Sequence, residues 1–335
     1  MRIVACMLAA IFLCGPSQAR AQLRLTLAPF AGDYTLAAAE PATPLAQPQS
    51  VQEAEPAPPL VQPQQVQDAT KPALTPSQLR WRNAGLIAGG ALLVGAYGMN
   101  KWWYDGFGSF DATDEGWFKQ ETQYGGADKF GHSFFSYMST RLMALGFEAI
   151  GNTPDASIKL GFWSTLGIMV GVEIVDGYSK KYSFSKEDAI ADLVGAGFGY
   201  YMHTHPGLDR LLDWRLLYRQ SAESSSFSPG ADYSGQTYLF VLKASGIDGL
   251  RQHSLLRYLE LDLGYGTRGF DEPAGNKGDR NIYYGVSLNL SEVLAQTVFK
   301  GSKEPSRTQR ATDWFLEFVQ VPGTAALAHH TLSRD

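Results

Sequence analysis

Residues 125–142, GGADKFGHSFFSYMSTRL, set Asp128, Lys129, His132 and Arg141 inside an apolar, aromatic run. As a helix it places Asp128, His132 and Ser136, each four residues apart, on one face as a single polar stripe. A buried helix with an ionisable stripe must bring those groups to partners on neighbouring helices. The spacing therefore predicts a helical bundle with a polar cluster inside it.

Three further helices are expected around this one. Asn83–Asn100 runs 18 residues without a charge, about 27 Å of helix against a hydrocarbon core of roughly 30 Å, so it could just span. The central helix is expected over Asp128–Gly151, the third over Ile158–Tyr178 and the fourth over Lys186–His203. Arg141, Glu173 and Asp192 interrupt these three, which fits helices that turn such groups inward or a soluble or surface-embedded bundle. Glycines at 167, 171, 195, 197 and 199 allow close helix packing. The connector YDGFGSFDATDEGWFKQETQYGG (104–126) reads as an ordered loop over one end of the bundle. Its Asp111, Asp114 and Glu115 lack the spacing of a calcium loop and read as a solvated face.

The cluster's members follow from the third and fourth helices. In GVEIVDGYSKKYSFSKEDAIADLVGAGFGY (171–200), Glu173 and Asp176 share a face, as do Asp188 and Asp192, and Ser185 is placed to cap the fourth helix. Short connections make successive helices antiparallel, so Asp128, His132, Glu173 and Asp188 are expected to meet at one end. Two readings stay open. Either these four are ligands of a divalent metal such as zinc or manganese, or acid/base groups, with Lys129 and Arg141 as anion contacts, or they form a satisfied polar network that docks the helices. His203 and His205 in YYMHTHPG read as a helix end.

Beyond the bundle the period changes to two. RYLELDLGY (257–265) puts Leu259, Leu261, Leu263 and Tyr265 on one face and Glu260 and Asp262 on the other. NIYYGVSLNL (281–290) alternates likewise, and GQTYLFVLK (235–243) is a third candidate strand. GTRGFDEPAGNKGDR (266–280) is the Gly-rich turn between two of them, and SEVLAQTVF (291–299) reads as an amphipathic helix. Three strands fall short of a transmembrane barrel. The fold class expected is α+β: a membrane-associated four-helix bundle (80–220) followed by a region with a small antiparallel sheet (221–335).

The N-terminus, MRIVACMLAAIFLCGPSQARAQ, has an early Arg2, an apolar centre and an Ala19-Arg20-Ala21 ending, the pattern of a secretory leader over 1–21. Both cysteines, Cys6 and Cys14, lie in it, so the mature chain has no thiol chemistry. Phe12-Leu13 before Cys14 favours cleavage after Ala21 over lipidation. Residues 22–79, dense in Pro, Gln and Ala, read as an extended tether. The net charge of −5 becomes −7 when Arg2 and Arg20 leave, and with no basic patch the chain is not read as a nucleic-acid binder.

DKFGHSFFSY, Glu173-x-x-Asp176 and Ser185-x-x-Asp188 before GAGFG, with GYGTRGF and RNIYYGVSLNL, resemble a bacterial domain of unknown function, the 2279 family of predicted periplasmic lipoproteins, over roughly residues 80–300. The helical pattern is also similar to VanZ-like membrane proteins. The resemblance implies an exported protein on the periplasmic side of the envelope, with no known reaction. Membrane lipids and an envelope protein are the partners expected. The functional alternatives are a metal-dependent hydrolase or transferase acting on an envelope lipid or glycan intermediate, and a scaffold offering a strand edge.

Overall fold

The computed structural model describes residues 74–270, 278–300 and 305–332. The leader, Cys14, the tether as far as residue 73 and residues 271–277 of the turn at 266–280 lie outside them. Helix α1 (Pro76–Lys101) starts with a capping box: Thr75 accepts from the Gln78 backbone, Gln78 reaches back to Thr75, and Pro76 begins the helix. The segment read as tether thus turns helical four residues before its expected end. Helices α2 (Ala127–Ala149), α3 (Pro154–Tyr178) and α4 (Lys186–Thr204) match the expected ones to within a few residues. Thr153 caps α3 and Ser185 caps α4, whose Asp188 N–H donates to Ser185 Oγ at 3.2 Å. Gly125 and Gly126 ahead of α2 have φ of 59° and 85°. A Cβ at Gly126 would stand 2.4 Å from the Trp117 carbonyl, so the turn that aims α2 into the bundle requires glycine.

Helix α2 is the centre. Its aromatic residues Phe134 and Tyr137 are fully enclosed and pack on Met202 of α4 and on the sheet. The backbones of α2 and α4 nearly touch: a Cβ on Gly195 would lie 1.8 Å from Ser133 O, whereas one on Gly197 would meet nothing within 4 Å. Gly195→Ala is therefore expected to lower stability by about 1 to 3 kcal/mol through overpacking, while Gly197→Ala gains up to about 1 kcal/mol of helix propensity. Thermal unfolding of the two variants side by side checks this, and equal melting temperatures would refute it.

Two-residue strands β1 (Ala112–Thr113) and β2 (Phe184–Ser185) pair in parallel and tie the 104–126 connector to the start of α4. Short helix α5 (Pro206–Leu211) leads into β3 (Leu212–Tyr218), followed by β4 (Gln236–Lys243), one-turn helix α6 (Asp248–Arg251), β5 (Leu259–Arg268), β6 (Asp279–Leu288), α7 (Leu290–Gln296), α8 (Arg307–Phe318) and β7 (Ala325–Thr331). The sheet is an antiparallel meander in the order β3-β4-β5-β6-β7. The expected three strands are thus five, and the sheet begins inside the segment assigned to the helical part. β3 carries Asp213 and Arg215 on its inward side, which hides its alternation, and β7 is an Ala/His run of low strand propensity. The expected helix at 291–299 is α7, which ends at Gln296; α8 was not anticipated.

The sheet curls. Gln320 N–H donates to Leu216 O of β3 at 3.1 Å, and five residues later the chain joins the opposite edge as β7. Leu217, Leu239, Val241, Tyr283 and Leu327 fill the concave side with a small apolar cluster. Beside it Arg215 pairs with Asp213 and Glu260, and Ser287 Oγ bonds Glu260 and Asp262. The carboxylates of β5 therefore face in, and Leu259, Leu261 and Leu263 face out.

Candidate functional site

The first two turns of α2, the last turns of α3 and the start of α4 converge as the helix order predicts. His132 Nδ1 lies 3.5 Å from Glu173 Oε1 and 3.4 Å from Asp192 Oδ1, and its Nε2 lies 4.0 Å from Asp188 Oδ2. Asp128 belongs to an adjoining group. There Lys129 Nζ contacts Glu115 at 2.5 Å, Asp128 at 2.7 Å and Asp188 at 2.9 Å, so an ammonium sits among three carboxylates. Asp188 joins the two groups, with Oδ1 toward Lys129 and Oδ2 toward His132. Asp176 accepts the Trp103 indole N–H at 2.5 Å and stands apart.

Two members escaped the sequence reading. Asp192 was visible as the i+4 partner of Asp188 but was not assigned to the cluster. Glu115 arrives on the 104–126 connector, which β1 and β2 pin to the bundle. Its neighbours on that loop behave as a solvated face should, Asp114 pairing with exposed Lys186. Arg141, four turns along α2, lies in a different network: it pairs with Glu317 and Asp209 and bonds the Tyr137 hydroxyl at 3.0 Å. Both residues read as anion contacts, Lys129 and Arg141, thus engage the protein's own carboxylates. His203 stands near Glu148 and His205 stacks on Tyr201 at the end of α4.

The carboxylates around the two cations outnumber them, and the site's electrostatics follow. Burial raises the Glu173 carboxyl to about 9 against the opposing pull of His132. Burial likewise raises Asp128 to about 7, with Lys129 opposing. Burial alone would push His132 down, but Asp188, Asp192 and Glu173 together hold it well above its ordinary value. For Asp188 the burial effect is outweighed by His132 and Lys129, and its carboxyl stays below the usual range. The cluster thus favours positive charge at two points: Lys129 at one, and at the other His132 Nδ1 with the oxygens around it.

Hydrogen bonds fix one oxygen of Asp192 and one of Glu173. Ser136 Oγ donates to Asp192 Oδ1 at 2.8 Å, and the Ser185 N–H donates to Glu173 Oε2 at 3.3 Å. Glu173 Oε1 is buried without a hydrogen-bond partner. Ligand atoms of His132, Glu173 and Asp192, one from each, lie within 4.8 Å of one another, and Glu115, Asp128 and Asp188 form a second such set.

Residues 114–204, from the acidic connector through the end of α4, match the family described as Predicted periplasmic lipoprotein (DUF2279). Both groups of the cluster lie wholly inside the matched segment, which is narrower than the 80–300 over which the residues suggest the likeness. The match supports an exported, envelope-associated protein of unknown function. No curated protein and no solved structure matches the chain.

Proposed function

We propose that this protein seats on a lipid membrane at the periplasmic side of the envelope, with its apolar surface toward the acyl chains and its ionisable groups inside. The observation that carries this is a continuous apolar sheet face. Trp214, Phe240, Leu263, Tyr284 and Ala328 form one cross-strand row, and Leu212, Leu242, Leu261, Val286 and Ala326 the next. Helix α2 and its neighbours cover the β3–β4 end, where Trp214 is 4% exposed; at the other end Leu263 is 58% and Tyr284 51% exposed. The helices repeat the inversion. α4 buries Glu187, Asp188 and Asp192 while Ile190, Leu193, Val194 and Tyr201 point out, and α3 buries Glu173 while exposing Trp163, Val170 and Ile174.

An exposed apolar surface of this extent marks an interaction face, and inward polar groups with outward apolar ones suit a lipid neighbour. Among the described helices only α3 is long and apolar enough to cross a bilayer, and α1 falls short of that. Seating in the interfacial region, as monotopic proteins do, is therefore favoured over repeated crossing. A hydrolase or transferase role would need a reacting group with access to substrate, and the cluster is read first as the ionic interior of a seated protein.

Flotation with phosphatidylethanolamine/phosphatidylglycerol vesicles tests this. Leu261, Leu263 and Val286 are each about half exposed, so each is worth about 1 kcal/mol of seating. The triple variant Leu261→Ser, Leu263→Ser, Val286→Ser is expected to bind roughly a hundredfold more weakly with an unchanged melting temperature. A wild-type protein that stays monodisperse without detergent and does not float would overturn the proposal.

A further inference from the structure

The geometry points to a divalent transition-metal site formed by His132 Nδ1, Glu173 Oε1 and Asp192 Oδ2, with Asp188 orienting the imidazole from its other side. This goes beyond lipid seating and does not depend on it. The distances are the first argument. His132 Nδ1 stands 3.5 Å from Glu173 Oε1 and 3.4 Å from Asp192 Oδ2. Hydrogen bonds to nitrogen are about 2.7 to 3.2 Å long, so neither contact is a good one. Bonds of about 2.1 Å at tetrahedral angles, however, separate two ligand atoms by about 3.4 Å. Each carboxylate stands from the imidazole at the separation a shared ion sets, and the two carboxylate oxygens lie within 4.8 Å of each other.

The second argument is the unpartnered oxygen. Glu173 is 1% exposed, its Oε2 accepts from the Ser185 N–H, and its Oε1 faces His132 with no hydrogen bond. Asp192 has its Oδ1 held by Ser136 at 2.8 Å, and both its oxygens stand 3.4 Å from His132 Nδ1, so Oδ2 is the one left for an ion. Outer-sphere bonds that fix one oxygen and leave the other aimed at a common point are the usual support of a metal carboxylate. Asp188 Oδ2 lies on the side of Nε2, the nitrogen that must carry the proton if Nδ1 is to ligate, at 4.0 Å, too far for a direct hydrogen bond but near enough to favour that tautomer electrostatically. One nitrogen and two carboxylate oxygens suit zinc or manganese. The neighbouring set, Glu115, Asp128 and Asp188, is not a second site, because the Lys129 ammonium already occupies its centre.

The test uses the full chain in mild detergent, stripped with a chelator and titrated with zinc chloride or manganese chloride alone. One equivalent of metal per chain is expected, and pulsed electron paramagnetic resonance of the manganese-loaded wild type should show one imidazole nitrogen. Glu173→Gln and Asp192→Asn should abolish stoichiometric binding, Ser136→Ala should weaken it by roughly 10- to 100-fold, and Glu115→Gln should leave it unchanged. Should the two ligand variants not fold, the wild-type resonance decides by itself. Folded, stripped wild type that takes up neither metal, uptake without a nitrogen coupling, or undiminished uptake by a folded Glu173→Gln protein would overturn the assignment.

Discussion

Lys129→Met is expected to lower the stability of the folded chain by about 3 to 5 kcal/mol, the usual cost of removing one partner from a buried ionic group. The side chain is 2% exposed, and its Nζ lies within 2.9 Å of three carboxylates, Glu115, Asp128 and Asp188. Methionine fills nearly the same volume and leaves no cavity, so the loss is electrostatic. It leaves three acids crowded in a low-dielectric interior with no cation. Domains of this kind hold about 5 to 15 kcal/mol in all, so much of the variant should fail to accumulate. Urea unfolding in mild detergent measures the loss in the fraction that does. The double variant Lys129→Met, Asp128→Asn should recover part of it, since it removes one of the stranded charges. A single-variant loss below about 1 kcal/mol, the level of an exposed pair, would show that the carboxylates are held by something other than Lys129.

That Asp128, His132 and Ser136 share one face was legible from residues 125–142 by their spacing of four, whereas Lys129, read there as an anion contact, pairs with the protein's own acids. The caps made the helix boundaries readable: Thr153-Pro154 and Ser185 start α3 and α4 where the pattern puts them. The convergence of Asp128, His132, Glu173 and Asp188 followed from antiparallel order and helical spacing alone. What was hidden depends on contacts without a period. Glu115 reaches Lys129 because two-residue strands pair 112–113 with 184–185, and no alternation shows in two residues. The division of one cluster into a lysine-filled set and a histidine-centred set turns on which way Asp188 points. The alternation of β5 was plain, but not which of its faces lies inside. Leucines normally mark the core side, and here the curl of the sheet encloses Glu260 and Asp262 instead, because Arg215 waits there to pair with the glutamate.

Arg215→Met should be as damaging as the loss of Lys129, at about 3 to 5 kcal/mol, and its partner offers a sharper test. Arg215 makes two parallel bonds to Glu260, at 2.7 and 2.8 Å, bonds Asp213 at 2.5 Å and donates to Gln320 at 3.0 Å. Through Gln320 it also holds the segment that links the two edges of the sheet. With methionine in its place, Asp213 keeps Lys243, but Glu260 keeps only the Ser287 hydroxyl and becomes a buried charge without a counterion. Replacing both members of a buried pair by apolar groups is often neutral or stabilising. The double variant Arg215→Met, Glu260→Leu is therefore expected to be more stable than Arg215→Met by at least about 2 kcal/mol, although it has lost more hydrogen bonds. Urea midpoints of wild type, both single variants and the double variant close the cycle. A double variant no more stable than Arg215→Met would mean that the arginine acts through Asp213 and Gln320, closing the curl, rather than by neutralising Glu260.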